Sequence, residues 1–211
     1  MLSITTIFVF SISSILLALT PGPDMLYIAA RSVAQGRSAG IVSALGVHSG
    51  LLIHTIAAAL GISALIEASA VAFNLIRFAG AAYLIYLGIQ AFMSKSEPLE
   101  VKPVAQKTMK EIFYQGLITN LLNPKVILFF LAFLPQFIDP TKGNASTQLI
   151  LLGILLVVVS LPVDIAVGLL GGVLGKWMKS NKGMQRSGKW ITGSVFISLG
   201  IGTAIFGTRR S

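Results

Sequence analysis

The chain has 211 residues, 55% of them hydrophobic and only 11% charged, with a mean hydropathy of +0.85. So few charges could not cover the surface of a water-soluble domain, so lipid is the expected solvent of the outer faces. The net charge of +9 gathers between apolar stretches and forms no basic face with interleaved aromatics, which argues against nucleic acid as a partner, and the lack of cysteine excludes disulfides, thiolate metal sites and thiol relays.

Six apolar stretches, at about 3–22, 40–66, 71–93, 113–137, 148–175 and 190–207, approach or exceed the roughly 20 residues that cross a bilayer as a helix. They do not alternate apolar and polar residues as barrel strands do. The expected fold class is all-α: a polytopic membrane protein with one transmembrane domain over 1–211 and membrane lipid as its surroundings.

The first stretch opens without the positive residues of a cleaved signal, its first charge being Asp24 and its first cation Arg31. It is broken by Pro21-Gly22-Pro23-Asp24, where two prolines flank a glycine, and the apolar pattern resumes at once with Met25 to Ala30. Two readings stand, a surface loop between spans and a span broken inside the membrane. A break inside the membrane frees backbone groups that protein, water or ligand must satisfy.

The second stretch carries His48 and His54, six residues apart and so on different helical faces. His54 lies with Gly50, Ala58 and Gly61 and reads as a packed, hydrogen-bonded side chain; His48 is a candidate for proton movement. The spacings Gly36-x-x-x-Gly40, Gly46-x-x-x-Gly50 and Gly168-x-x-x-Gly172 read as helix contacts within one chain first, which leaves a homo-oligomer open.

Residues 94–112 are polar, hold two prolines and read as a flexible central loop between a first repeat at about 1–93 and a second at about 113–211. The span after it is interrupted by Asn120-Leu-Leu-Asn123-Pro124-Lys125. A charge at Lys125 costs about 2.5–3.5 kcal/mol in lipid. It needs a partner or a wet cavity, or it snorkels to the interface. In the fifth stretch Asp164 shares a helical face with Ser160, Gly168, Gly171 and Gly175, which puts it inside the bundle as a proton carrier or as structural glue.

Eleven Lys and Arg fall on the side of Arg31, Arg37 and the two basic loops, against four on the other, with Lys125 inside a span. That bias places the loops in the cytoplasm and both termini outside, with Trp177 and Trp190 at the interface. Three spans on each side of the central loop imply that the second half is inverted. A shift of 101 residues lays Pro23 on Pro124, Gln35 on Gln136 and Asp24 on Lys125. The inverted arrangement would bring Asp24 and Lys125 together near the midplane, either paired or holding the two ends of a zwitterion, with half-helix N-termini adding positive potential for a carboxylate.

These residues resemble the LysE/RhtB family of bacterial amino-acid exporters. The likeness rests on Pro21-Gly22-Pro23-Asp24, Gln35-Gly36-Arg37 with Gly40, Gly46 and Gly50, and Gly80-Ala-Ala-Tyr83-Leu84-Ile-Tyr86-Leu87-Gly88. Asn120-Leu-Leu-Asn123-Pro124-Lys125, Pro135-Gln136-Phe137 and the Asp164 region complete it, so that it covers nearly the whole chain. The resemblance implies efflux of an amino acid or derivative across the inner membrane, coupled to the proton-motive force. The expected substrate site is Pro21, Gly22, Pro23, Asp24, Asn120, Asn123, Pro124 and Lys125, with Asp24, Asp164 and His48 as candidates for proton coupling. A neutral or modestly polar amino acid is favoured, because the spans hold few acidic residues to receive a basic one. No cofactor or bound metal is expected. Efflux of another small solute or of a divalent metal ion is an alternative, as more distantly is an intramembrane enzyme, although neither Gly-x-Ser-x-Gly nor His-Glu-x-x-His occurs.

Overall fold

In the computed structural model, residues 2–93, 105–180, 190, 193–198 and 200–202 are described, with the side chains of 63, 66, 67, 70, 72, 73, 76, 77, 140 and 172–180 left aside. Among the described residues the secondary structure is helical throughout. The loop segments 94–104 and 181–189, the end of the last stretch at 203–211, and the side chains of Gly172, Gly175 and Trp177 lie outside the described residues.

Helix α1 (Ile4–Leu19) starts at Ser3, whose hydroxyl accepts from the Thr6 N–H, and stops before Pro21. Helix α2 (Pro23–Gln35) begins with proline in its first turn, where a missing N–H costs nothing, and is bent 53° from α1. It ends at Gly36, whose φ of 84° is readily adopted only without a side chain. Gly36 is thus the turn into α3 (Arg37–Ala68) and not the helix contact its spacing suggests; nothing lies within 4 Å of the position a Cβ would take. Ser69 alone separates α3 from α4 (Ala70–Met93).

The second half opens earlier than expected. Helix α5 (Met109–Leu121) starts inside the segment read as loop, because Thr108 and Glu111 form a reciprocal capping box. Asn123 caps α6 (Pro124–Leu128), which runs on through a π turn (Phe129–Phe133) and a 3-10 turn (Leu134–Phe137), the pair being bent by 47°. After a 3-10 turn at Pro140–Lys142 comes α7 (Ala145–Ser180), with Pro162 inside it. Helical residues follow at 193–198.

Helices α3 and α7 are long and apolar enough to cross a membrane alone, and each bent pair adds one span, giving four. The apolar helices Phe78–Met93 and Gly193–Gly202 are shorter, so among the described residues lengths alone do not reach six crossings.

Packing is set by glycine. A Cβ on Gly40 would overlap the Gly168 backbone and one on Gly46 would overlap the Phe113 carbonyl, so α3 touches α7 and α5 at backbone distance. Gly88 of α4 does the same against Ile197 and Gly193. The polarity of the molecule is reversed from that of a soluble domain. Ile4, Leu60 and Leu122 are 87%, 70% and 72% exposed, while Asp24, Arg31, His48, Asn120, Asn123, Lys125, Ser160 and Asp164 are buried. Charges inside and large aliphatics outside are what a lipid solvent selects.

Candidate functional site

The two breaks meet. Pro21 has no N–H, so the Leu17 carbonyl loses the donor that an unbroken helix would supply. The Thr20 N–H partly makes this good at 3.2 Å, and Lys125 adds a second donor: its Nζ donates to Leu17 O at 3.1 Å and to Thr20 O at 3.0 Å. Gly22, extended with φ −163°, leaves room for this, since a Cβ there would stand 3.2 Å from Lys125 Nζ. The side chain of Lys125 therefore stays in the bundle, 8% exposed, and does not snorkel.

The second break is built from asparagines. Asn123 Oδ1 accepts from the Lys125 backbone N–H at 3.0 Å. Asn120, fully buried, donates from Nδ2 to Asp24 Oδ2 at 2.9 Å and so bridges α5 to α2. Asp24 sits in the first turn of α2, where the helix dipole favours a negative charge. Of the two arrangements considered for Lys125 and Asp24, the direct ion pair is not formed: the ammonium is taken by the carbonyls of the first break and the carboxylate by Asn120. Both charges nonetheless line one cavity of about 30 Å³, with Ser14, Asn120, Ser160 and Asp164 also in its wall. Among the described residues, Asp24 Oδ1, Asn120 Oδ1 and Asn123 Nδ2 are buried without a hydrogen-bond partner.

His48 stands beside this cavity. Its Nδ1 lies 2.9 Å from Ala44 O and 3.8 Å from Asp164 Oδ2, and its Nε2 lies 3.1 Å from Ser160 Oγ. Ser160 and Asp164 share a face of α7 as their spacing predicts, and both are buried. His54 is packed away from them: it stacks on Phe130 with ring centroids 5.4 Å apart and donates to Asn120 O at 3.4 Å. Pro21, Gly22, Pro23 and Pro124 contribute backbone geometry to the two breaks and no polar side chain.

Arg31 enters the sequence count only as a loop cation, yet it is 1% exposed. Its guanidinium donates to Gln35 Oε1 at 2.9 Å, Ala105 O at 2.9 Å and Gln115 Oε1 at 2.8 Å, and it lies 5.7 Å from the centre of the Tyr27 ring. Gln35 Nε2 donates to Lys107 O, and Tyr27 donates its hydroxyl proton to Ile112 O. This network pins α2 to residues 105–115. The sequence signal for it is the i, i+4 spacing of Tyr27, Arg31 and Gln35 on one face of α2.

The profile of the LysE type translocator matches residues 15–206. The chain belongs to the LysE family. Its LysE relatives include the membrane protein YrhP of Bacillus subtilis, 32% identical over 199 residues and covering 90% of this chain and 94% of the relative. The homoserine/homoserine lactone efflux protein of Salmonella typhimurium is 32% identical over 194 residues, covering 92% and 93%. The leucine efflux protein of Salmonella choleraesuis is 31% identical over 191 residues, covering 89% of each. No solved structure matches this LysE chain. LysE membership and the buried charges together make it a transmembrane transport protein.

Proposed function

We propose that this protein exports a zwitterionic amino acid or an amino-acid derivative across the bacterial inner membrane, driven by the proton-motive force. One observation carries the reading: Lys125 and Asp24, opposite in sign, line the same small cavity where two broken helices meet. Lys125 has a third N–H to give a carboxylate, and Asp24 Oδ1 and Asn120 Oδ1 are vacant acceptors for an ammonium. Membership of the LysE family, and relatives named for homoserine, homoserine lactone and leucine efflux, support the substrate class.

A cavity of about 30 Å³ holds a water or two and no amino acid, so this is a closed conformation. Substrate admission requires one bent pair to swing, with Gly22 and Asn123 at the bends. The side chain most compatible with the site is neutral or modestly polar, since Asp24 and Asp164 are the acidic groups lining the cavity and Asp24 is assigned to the ammonium. Six crossings in two inverted halves, with both termini outside, complete the reading; its support is the Lys and Arg bias and the two bends at equivalent prolines, Pro23 and Pro124. Proton coupling falls to Asp24, Asp164 or His48.

The test is growth of a sensitive host expressing the protein under challenge by each amino acid in turn, followed by export measurements on any that are tolerated. Protection against one or more neutral amino acids, lost in Lys125→Ala and Asp24→Asn protein that still inserts, is the expected result. Protection against none, or full activity in both variants, overturns it.

A further inference from the structure

Among the described residues, Asp24 of α2, Lys125 of α6 and Asp164 of α7 line the cavity, and His48 of α3 stands behind Ser160 and Asp164. Helix α1 contributes Ser14, Leu17 and Ala18, and α5 contributes Asn120, none of them titratable. His54, the other histidine of α3, is engaged with Phe130 and the Asn120 carbonyl. Asp24 and Lys125 have roles in the substrate reading. His48 and Asp164 have none that the substrate requires.

The partners of His48 constrain where protons sit. Ala44 O, at 2.9 Å from Nδ1, can only accept, so Nδ1 carries a proton. Ser160 has one hydroxyl proton, and its shorter contact is with Leu156 O at 2.7 Å, against 3.1 Å to His48 Nε2. With the hydroxyl proton given to Leu156 O, Ser160 Oγ is an acceptor toward His48, and Nε2 carries a proton as well. Among the described residues no hydrogen bond is made to Asp164, and its Oδ2 stands 3.8 Å from His48 Nδ1. With both ring nitrogens facing oxygens that can accept, the arrangement gives His48 room for a second proton beside the Asp164 carboxyl.

We propose that His48, Ser160 and Asp164 form the proton site of this exporter, distinct from the Asp24–Lys125 pair that receives substrate, with His48 holding the transported proton in the closed state. The proposal rests on the export reading above. When the proton leaves, the Nε2–H bond breaks, the proton passes to water in the cavity, and the Ser160 hydroxyl turns from Leu156 O to donate to the bare Nε2. Nδ1 keeps its proton and its bond to Ala44 O. With His48 charged, two cations and two carboxylates balance around the cavity. With His48 neutral, one negative charge is in excess, and the cavity favours the ammonium end of a substrate. Proton and substrate then exclude one another electrostatically, which is the requirement for exchanging them across a membrane.

Two measurements on the full-length protein in lipid test this. The first is nitrogen NMR of 15N-histidine-labelled protein in nanodiscs, with His54→Asn used to assign the two histidines. A doubly protonated His48 ring in the substrate-free protein, converting to a single N–H form as the pH is raised, is expected; one single-N–H form throughout overturns the proposal. The second uses proteoliposomes with labelled leucine and homoserine as probes. His48→Gln should keep substrate exchange at equal pH and lose accumulation driven by a pH gradient, whereas Asp24→Asn should lose both. Gradient-driven accumulation intact in His48→Gln, or exchange lost along with it, overturns a separate proton site. Wild-type protein that moves neither probe counts against the export reading for those substrates, and the nitrogen spectra still decide the state of His48.

Discussion

Lys125 Nζ donates to the Leu17 carbonyl at 3.1 Å and to the Thr20 carbonyl at 3.0 Å, so the charge carried by the second broken helix is held by the backbone that the first break exposes. The two interruptions are not independent sites that happen to be near one another. Each supplies what the other lacks.

That dependence makes Lys125 structural as well as functional. Lys125→Met should cost about 1–3 kcal/mol, the penalty for stranding buried acceptors. Lys125→Arg keeps donors but must fit a larger group against Gly22, where space is already 3.2 Å from an imagined Cβ. Thermal melting in detergent should rank wild type first and Met below it. A Met variant as stable as wild type would show that the carbonyls find water without help.

The α3–α7 contact gives a sharper stability test. Gly40→Ala puts a methyl into the Gly168 backbone, which cannot yield as a side chain would, and should destabilise by about 1–3 kcal/mol. Gly61→Ala, with nothing within 4 Å of its Cβ, should stay within about 0.5 kcal/mol of wild type. Equal melting temperatures for the two variants would contradict the packing described.

Among the described residues Arg31 is held by neutral acceptors and an aromatic face, and its Nε has no partner there. Arg31→Met removes the donor that fastens Ala105 and Gln115 to α2. Amide hydrogen exchange across residues 105–115 should accelerate, while exchange in α7 changes little. Unchanged protection at 105–115 would mean that Tyr27 and Gln35 suffice to hold this segment.

Asp139 lies outside the spans, and the Thr141 hydroxyl followed by Lys142 holds its carboxyl at about 2, below the ordinary 3.8. A depressed carboxylate stabilises the fold above its unfolded value and loses that contribution as pH falls through the folded one. The loop at 138–144 should therefore loosen between about pH 4 and pH 2. Thr141→Val should raise the Asp139 value in a carboxylate NMR titration and move the loosening to higher pH; no change would remove Thr141 as the main cause.

Much of the site was legible in the sequence because prolines and intramembrane charges are local signals. Pro21, Pro23 and Pro124 marked the breaks, and the shift that laid Asp24 on Lys125 named two groups that do share a cavity. Their partners were not legible. Lys125 binds carbonyls more than a hundred residues away in sequence, and a backbone oxygen has no signature in a list of side chains. The burial of Arg31 was not legible for a physical reason: a count of charges by side carries no information on exposure, and here α2 folds Arg31 under residues 105–115. The start of α5 at Met109 was readable in principle, since Thr108-x-x-Glu111 is a capping signal, but Lys107 and Lys110 around it look like loop. The π turn at Phe129–Phe133 has no comparable mark in an unbroken apolar run.

Pro162 sits in α7 between Ser160 and Asp164, and it has no N–H to give the carbonyl one turn back. The longest helix of the protein is thus two levers joined at a soft point beside His48. A change of hydrogen bonding as small as one hydroxyl rotation is applied there at the fulcrum, where a few degrees of bend displace the far ends of the helix by ångströms.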